Sequence, residues 1–381
     1  MIKTDTAPLP QPARSDFARD FLWGCSTSSY QIEGAIASDG RVESIWDRFA
    51  AQPGRIRDAS SGEVACDHYH RWPEDLDIGR DLGLNAYRFS VAWPRIFSGP
   101  GSLPNPKGLG FYSRLVDGML ERGLEPWLTL YHWDLPQYLQ DQGGWGARTT
   151  VDAFAEYADA VSRHLGDRVK NWITHNEPWC TAIHGNLEGV HAPGIKDFAT
   201  ALQVCHHVLL SHGRAMAAIR ANVPAARVGI ALSLHPLSAA SEREQDVAAM
   251  VRHDGMRNRW FLDPLHGRGY PADVWQLCGR DAPALCEGDL REIAAPADFL
   301  GVNYYFPEIV AHAPDAGPLQ ARVVAPDNVE RTAFGWEVAP QGMTELLLRL
   351  QRDYHPGAIY ITENGSTYDD VPGADGQVND S

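Results

Sequence analysis

The chain has 381 residues, of which 44% are apolar and 22% charged; that balance is close to the globular average and excludes a disordered chain, a coiled coil or a collagen-like fibre. Its 33 basic residues against 49 acidic ones leave a formal charge of −16. Such a field repels polyanions, so no nucleic-acid partner is expected, while a neutral substrate is compatible with it.

Taken in chain order, residues 1–16 read as a disordered N-terminal extension lacking the apolar core of an export signal, ahead of a single domain over 17–381. Strand candidates follow at 21–34, 84–93 and 126–133. A helical stripe of Val151, Phe154, Ala158, Val161 and Leu165 leads to a strand at 170–176. A second stripe of Leu202, Cys205, Leu209, Met216 and Ile219 ends before Pro224, and strands at 227–235 and 298–306 come next. The stretch 311–332, with its Pro, Ala and Asp residues, reads as a long surface loop walling a binding site. A last stripe, Met343, Leu346, Leu347 and Leu350, precedes a strand at 358–363. No apolar run approaches the roughly 20 residues of a membrane helix, so no membrane partner is expected. Cys25, Cys66, Cys180, Cys205, Cys278 and Cys286 are scattered with no CxxC pair, which fits buried free thiols in a reducing compartment and a cytoplasmic protein.

Several strand candidates are nearly continuous apolar runs, the pattern of parallel strands covered by helices on both faces, and the alternation predicts one α/β domain. A doubly wound sheet places a Gly-rich phosphate turn after its first strand; here that strand runs into Tyr30-Gln31-Ile32-Glu33. A TIM (β/α)8 barrel gathers its chemistry at the C-terminal ends of several strands. Polar residues recur at those ends: Gln31, Arg88, His132, Asn176 with Glu177, Asn303 with Tyr305, and Glu363. The barrel is therefore the expected fold, with its eighth βα unit missing. A further unit needs roughly 30 residues, and 18 follow Glu363.

Two of these residues are acids placed for catalysis. Glu177 stands in Thr174-His175-Asn176-Glu177-Pro178, where Pro178 disfavours α geometry and is expected to hold Glu177 extended at a strand end. Glu363 closes a strand in Ile361-Thr362-Glu363-Asn364-Gly365, with Gly365 free to turn the chain. Carboxylates from nonadjacent strands on one barrel face can share a target. About 5–5.5 Å apart they perform retaining glycoside hydrolysis, whereas a wider pair admits water and inverts. The sequence leaves that gap open, and each acid taken alone reads as an ordinary surface residue after a strand. His68, His70, His206, His207 and His212 lack the spacing of a metal site; no metal or other cofactor is expected.

Phe21-Leu22-Trp23-Gly24 followed by Ser28-Ser29-Tyr30-Gln31-Ile32-Glu33-Gly34 resembles the opening strand of glycoside hydrolase family 1, the β-glucosidase family. The same family order continues through Leu84-Asn85-Ala86-Tyr87-Arg88-Phe89-Ser90, Tyr131-His132-Trp133-Asp134-Leu135-Pro136 and Thr174-His175-Asn176-Glu177-Pro178-Trp179. It ends with Phe299-Leu300-Gly301-Val302-Asn303-Tyr304-Tyr305, Phe334-Gly335-Trp336-Glu337 and Thr362-Glu363-Asn364-Gly365. This resemblance implies a retaining β-glucosidase that removes terminal glucosyl residues from a small β-glucoside or oligosaccharide. Glu177 then resembles the general acid/base and Glu363 the nucleophile, with Arg88 and Tyr305 supporting the nucleophile. Gln31, His132, Trp133, Asn176, Asn303 and Tyr305 match substrate-binding positions, Asn176 being the amide for the sugar 2-hydroxyl. Trp336 looks like the platform for the leaving group. The alternatives are a 6-phospho-β-glycosidase of the same family, and a catalytically impaired fragment or noncatalytic sugar-binding remnant. The oligomeric state is not encoded in any of these motifs.

The chain departs from the family pattern at Arg41-Val42-Glu43-Ser44, where Gly-Pro is usual, and at His184-Gly185-Asn186, where Gly-Tyr is usual. The larger departure is the family's eighth strand, whose Glu and Trp hold distal sugar hydroxyls and which has no counterpart here. A truncated barrel is expected to leave unpaired strand edges near Phe21 and Ala358 and to expose apolar surface. Transition-state binding is expected to suffer, leaving the chain feeble or inactive by itself.

Overall fold

The computed structural model describes residues 13–378. Its strands are, in chain order, β1 Gly24–Ser26, β2 Ala86–Ser90, β3 Glu125–Tyr131, β4 Asn171–Asn176, β5 Arg227–Ser233, β6 Leu237–Ala239, β7 Phe299–Asn303, β8 Glu308–His312, β9 Ala321–Val324 and β10 Ile359–Glu363. Seven of them form one sheet in the order β1-β2-β3-β4-β5-β7-β10, and every pairing is parallel. Parallel neighbours require crossover connections, and the intervening helices wrap the sheet into the wall of a TIM barrel. Burial follows position in that wall. Every residue of β2, β4 and β7 is buried, whereas β1 and β10, which end the order and pair on one side only, are largely half-buried or exposed.

The helices form where the apolar stripes demanded them. Arg148–Leu165 buries Val151, Phe154, Ala158, Val161 and Leu165. Phe198–Asn222 begins where the Asp197 side chain accepts the Thr200 N–H at 2.7 Å, an N-cap that satisfies one of the helix's orphan donors. Gln341–Tyr354 buries Leu346 and Leu350 and leaves Met343 and Leu347 half-buried. A large apolar core fills the space between these helices and the outward faces of the strands. Inside the barrel, Ala86, Trp127, Ile173, Ala231 and Phe299 close the floor together with Tyr360.

Four expectations change. The strand expected over 21–34 is only three residues long in β1, and Ser29–Ile32 is a helical turn that carries Gln31. The ladder stops because the Ser29 N–H is taken by the Ser90 hydroxyl at 2.7 Å. The expected surface loop at 311–332 contains β9 and the end of β8, paired antiparallel, with β6 added parallel to β8; the β-branched pair Val323-Val324 supports that pairing. All six cysteines are free, but Cys66 and Cys286 are exposed and Cys25 is half-buried. Gly365 does not adopt positive φ; the chain beyond Glu363 continues without a tight turn there. Residues 1–12 of the expected N-terminal extension lie outside the described residues, and Arg14–Asp16 form a 3-10 turn. Among the described residues no helix is long and apolar enough to cross a membrane.

Candidate active site

The two acids reach the barrel interior through local breaks in their strands. In β4, Ile173 pairs with Gly229 but Asn176 with Ala231; in β10, Ile361 pairs with Val302 but Glu363 with Asn303. Each is a β-bulge with one extra residue, which reverses the in–out alternation of a strand. Ile173 and Asn176, three residues apart, can therefore both face inward, as can Tyr360 and Glu363.

Glu177 is not extended, as Pro178 had implied; its φ is +48°. Pro178 does disfavour a right-handed helical conformation before it, but the chain must reverse at once from β4 into a helical turn, and the left-handed well does so. The Glu177 N–H is tied to the Ala231 carbonyl at 2.8 Å, and its own carbonyl accepts from Thr181 N at 3.3 Å. Trp133 also has positive φ, +79°. Such positions cost of order 1–3 kcal/mol each and persist where the surroundings over-determine them.

One hydrogen-bonded network holds the acids. Arg88, on β2, donates to Glu363 Oε1 at 2.6 Å and to Asn176 Oδ1 at 2.7 Å. The Tyr305 hydroxyl donates to Glu363 Oε2 at 2.8 Å. Asn303 Nδ2 donates to Asn176 Oδ1 at 2.9 Å and to Glu177 Oε1 at 3.0 Å, while Asn303 Oδ1 accepts from Thr362 at 2.6 Å. His132 Nε2 accepts from Asn176 Nδ2 at 3.1 Å, and the Trp133 indole donates to the Asn176 carbonyl at 3.0 Å.

This network separates the two acids electrostatically. Burial raises Glu177, and the facing Glu363 charge raises it further, ahead of the opposing hydrogen bonds from Asn303 and Cys180. Burial acts on Glu363 in the same direction, but the Arg88 charge, with His132 and the Tyr305 hydroxyl, more than offsets it and holds the carboxylate below its ordinary value. His132 is itself pushed down to about 3 by burial and is uncharged at neutral pH, so Arg88 and Tyr305 carry that effect there. The two carboxyls are thus driven in opposite directions within one enclosure, one towards its protonated and the other towards its ionised form.

The enclosure is a cavity of about 1220 Å³ whose wall includes Gln31, Arg88, His132, Trp133, Glu177, Tyr305, Trp336 and Glu363. Asn176 and Asn303 are fully buried and position the carboxylates, with Asn176 Nδ2 against His132 on that wall. Trp336 packs on Phe306 with ring centroids 4.9 Å apart and on Tyr305 at 5.3 Å, which extends an aromatic wall away from the acids. Sequence reasoning gave no site role to Trp179, His184, His191, His235, Arg257 or Glu308 on this wall. Trp179 in the motif around Glu177, His184 as a departure from the family pattern and His235 at the end of its expected strand carried a positional signal. The five histidines weighed as a metal site have protein partners: His68 meets Asp75, His70 meets Asp67, His206 meets Asp289, His207 meets the Trp145 carbonyl and His212 meets Thr174.

Two carboxyls shifted in opposite directions, facing one cavity at the strand ends of a barrel, define a glycoside hydrolase. The sequence profile of glycosyl hydrolase family 1 spans residues 13–381. The chain belongs to that family. It is 45% identical to Beta-glucosidase A of Acetivibrio thermocellus over 96% of its own length and 82% of that protein. Among solved structures it superposes with a TM-score of 0.92 on the AHE enzyme from Alicyclobacillus herbarius, at 47% identity, covering 96% of this chain and 81% of the other. The TM-score is also 0.92 against the Thermotoga maritima β-glucosidase in complex with deoxynojirimycin, at 44% identity, covering 96% and 82%.

Proposed function

We propose that this chain is a retaining β-glucosidase in which Glu177 is the general acid/base and Glu363 the nucleophile. The observation that carries this is the contrast between the two carboxylates: Glu363 is paired with Arg88 at 2.6 Å and Tyr305 at 2.8 Å, while Glu177 is buried, faces that negative charge and contacts only uncharged donors. In the first step the Glu177 carboxyl gives its proton to the glycosidic oxygen as the bond from that oxygen to the anomeric carbon breaks, and a Glu363 oxygen forms an ester to the same carbon. In the second, Glu177, now a carboxylate, takes a proton from water as the water displaces Glu363, which leaves ionised. Both the proton and the nucleophile come from side chains.

Asn176 Oδ1 is filled by Arg88 and Asn303, and one Nδ2 hydrogen goes to His132; its second Nδ2 hydrogen serves the sugar 2-hydroxyl. With Nε2 accepting, His132 carries its proton on Nδ1, a buried donor without a protein partner, which a glycone hydroxyl satisfies. Gln31 and Trp133 complete the glycone side and Trp336 receives the leaving group. The substrate is a short, uncharged β-glucoside or oligosaccharide, and the free cysteines support a cytoplasmic location.

Trapping tests the assignment. A 2-deoxy-2-fluoro-β-glucoside with a good leaving group should leave a mass adduct on the peptide containing Glu363, and Glu363→Gln should abolish it. Glu177→Gln should lower kcat/KM for substrates with poor leaving groups by roughly 10²–10⁴-fold while sparing kcat/KM of those that need no protonation, whose kcat still falls because water has lost its base. An adduct elsewhere, or release of the α-anomer as first product, would overturn the reading.

A further inference from the structure

Cys180 lies one helical turn beyond Glu177, at the start of a π-helical segment, Cys180–Glu188. The thiol is buried, lines the cavity and donates to Glu177 Oε2 at 3.1 Å. The other oxygen, Oε1, accepts from Asn303 Nδ2 at 3.0 Å. The orientation of Asn303 is fixed from a distance. Arg88 has only donors, so the Asn176 atom it meets is Oδ1, and the Asn303 atom facing that same oxygen must be Nδ2. Oε1 of Glu177 is thus opposed by a group that can donate and never accept. A thiol is different: it is a weak donor and a weak acceptor. Of the two partners, it alone can accommodate both states of the carboxyl.

We propose that Cys180 is a positioning residue for proton transfer: its thiol fixes the Glu177 rotamer, leaves Oε2 as the oxygen that carries the acid proton, and donates to that oxygen once the proton has passed to the leaving group. The inference rests on the reading of Glu177 as acid/base. Its proton balance is closed. The thiol keeps its own proton throughout, since burial, with the nearby Glu177 carboxylate, raises it well above its ordinary range; the transferred proton belongs to Glu177 alone. Because Sγ accepts weakly, the Glu177 O–H is not locked to the protein and remains available to the glycosidic oxygen. Groups facing Glu177 from other elements are Glu363 on β10, the Tyr305 hydroxyl beyond β7, and Arg257. These stay in place when Cys180 changes.

The test reads the Glu177 carboxyl directly. In protein labelled with ¹³C at glutamate carboxyls, the Glu177 resonance is the one lost in Glu177→Gln. Cys180→Val removes the donor without adding a polar atom, so the anion loses a partner and Glu177 should titrate roughly half a pH unit higher, the size expected for a weak hydrogen bond. Cys180→Ser, which restores a donor, should return the midpoint to the wild-type value or below. The basic limb of kcat/KM should move in the same order, and only for substrates with poor leaving groups. A Glu177 midpoint unmoved in Cys180→Val, or moved equally in Cys180→Ser, overturns the role of Cys180. A basic limb that persists in Glu177→Gln overturns instead the acid/base reading, so the two failures are separable.

Discussion

The guanidinium of Arg88 donates to Thr129 Oγ1 at 3.1 Å, Ser26 Oγ at 3.0 Å, Asn176 Oδ1 at 2.7 Å and Glu363 Oε1 at 2.6 Å. A planar fork suits this task, and a lysine ammonium could not reach acceptors on β1, β3, β4 and β10 together. Tyr305 adds the remaining donor to Glu363, and removing it isolates one contribution without disturbing the fork. Tyr305→Phe deletes a hydrogen bond to a charged acceptor, worth about 1.5–3 kcal/mol. Glu363 must be ionised to attack, so its rise should move the acid limb of kcat/KM upward by about one to two pH units and leave the basic limb in place. pH–rate profiles of the two proteins decide it; limbs that shift together would show a general distortion instead. That Glu177 and Glu363 would stand at strand ends facing one cavity was legible in the sequence, because each sits beside a distinctive neighbour, Pro178 or Asn364-Gly365. The contacts that set their protonation were not legible locally: Arg88 and Tyr305 beside Glu363 came only from the family resemblance, and the contacts of Asn303 and Cys180 with Glu177 from no signal at all. Asn303 lies 126 residues from Glu177 and Arg88 lies 275 residues from Glu363, and no local pattern reports a pairing made only by barrel closure.

At the level of elements, six of the seven barrel strands fall within their expected ranges and β3 begins one residue early, at Glu125, since long buried apolar runs are a robust signal. The ends were read less well. β1 is an edge strand with one neighbour, and its side chains carry little burial to mark its limit. The bulges in β4 and β10 were invisible, because a single extra residue changes facing without changing composition. Close packing between elements was equally hidden. Gly213 sits in Phe198–Asn222 where that helix crosses Asp289–Ile293, and a Cβ built there would overlap the Glu292 carbonyl. The obstacle is backbone, which cannot swing aside as a side chain can. Although alanine is the better helix former, Gly213→Ala should therefore destabilise the fold by about 1–3 kcal/mol or more. Calorimetry checks this. A melting temperature raised by the substitution would mean that the two helices separate more freely than their geometry implies.

Across the whole molecule, acid sensitivity is set by neutral imidazoles enclosed on several sides of the barrel. Burial pushes His132, His212 and His235 down to about 3 and His191 to about 4. His132 faces Arg88 and Glu363, and His235 faces Arg257 and Glu308, so neighbouring charges partly cancel and desolvation dominates. In the unfolded chain each imidazole titrates near 6.5. Between that value and the folded ones the unfolded chain binds more protons, so stability rises with pH through the window and is lost as pH falls, by up to about 1.4 kcal/mol per pH unit for each group. Carboxylates enter lower down. Asp289 is held below its ordinary value because Arg148, the Cys286 N–H and His206 together outweigh its burial; its stabilisation is present above the unfolded carboxylate value and disappears as pH falls below about 4. The melting temperature should therefore begin to drop near pH 6.5, where the four imidazoles together outnumber the buried carboxyls that oppose them, Asp134, raised to about 7, and Glu177. His212 separates the two causes: its Nδ1 meets Thr174 at 2.7 Å, its Nε2 has no partner among the described residues, and it lies outside the cavity wall. His212→Leu should flatten the slope of stability against pH between 6.5 and 4 by about one proton, whatever it does to stability at neutral pH. A slope unchanged by that substitution, or a melting temperature flat down to the carboxylate range, would remove the imidazoles from the account and leave the acidic side chains as the sole cause.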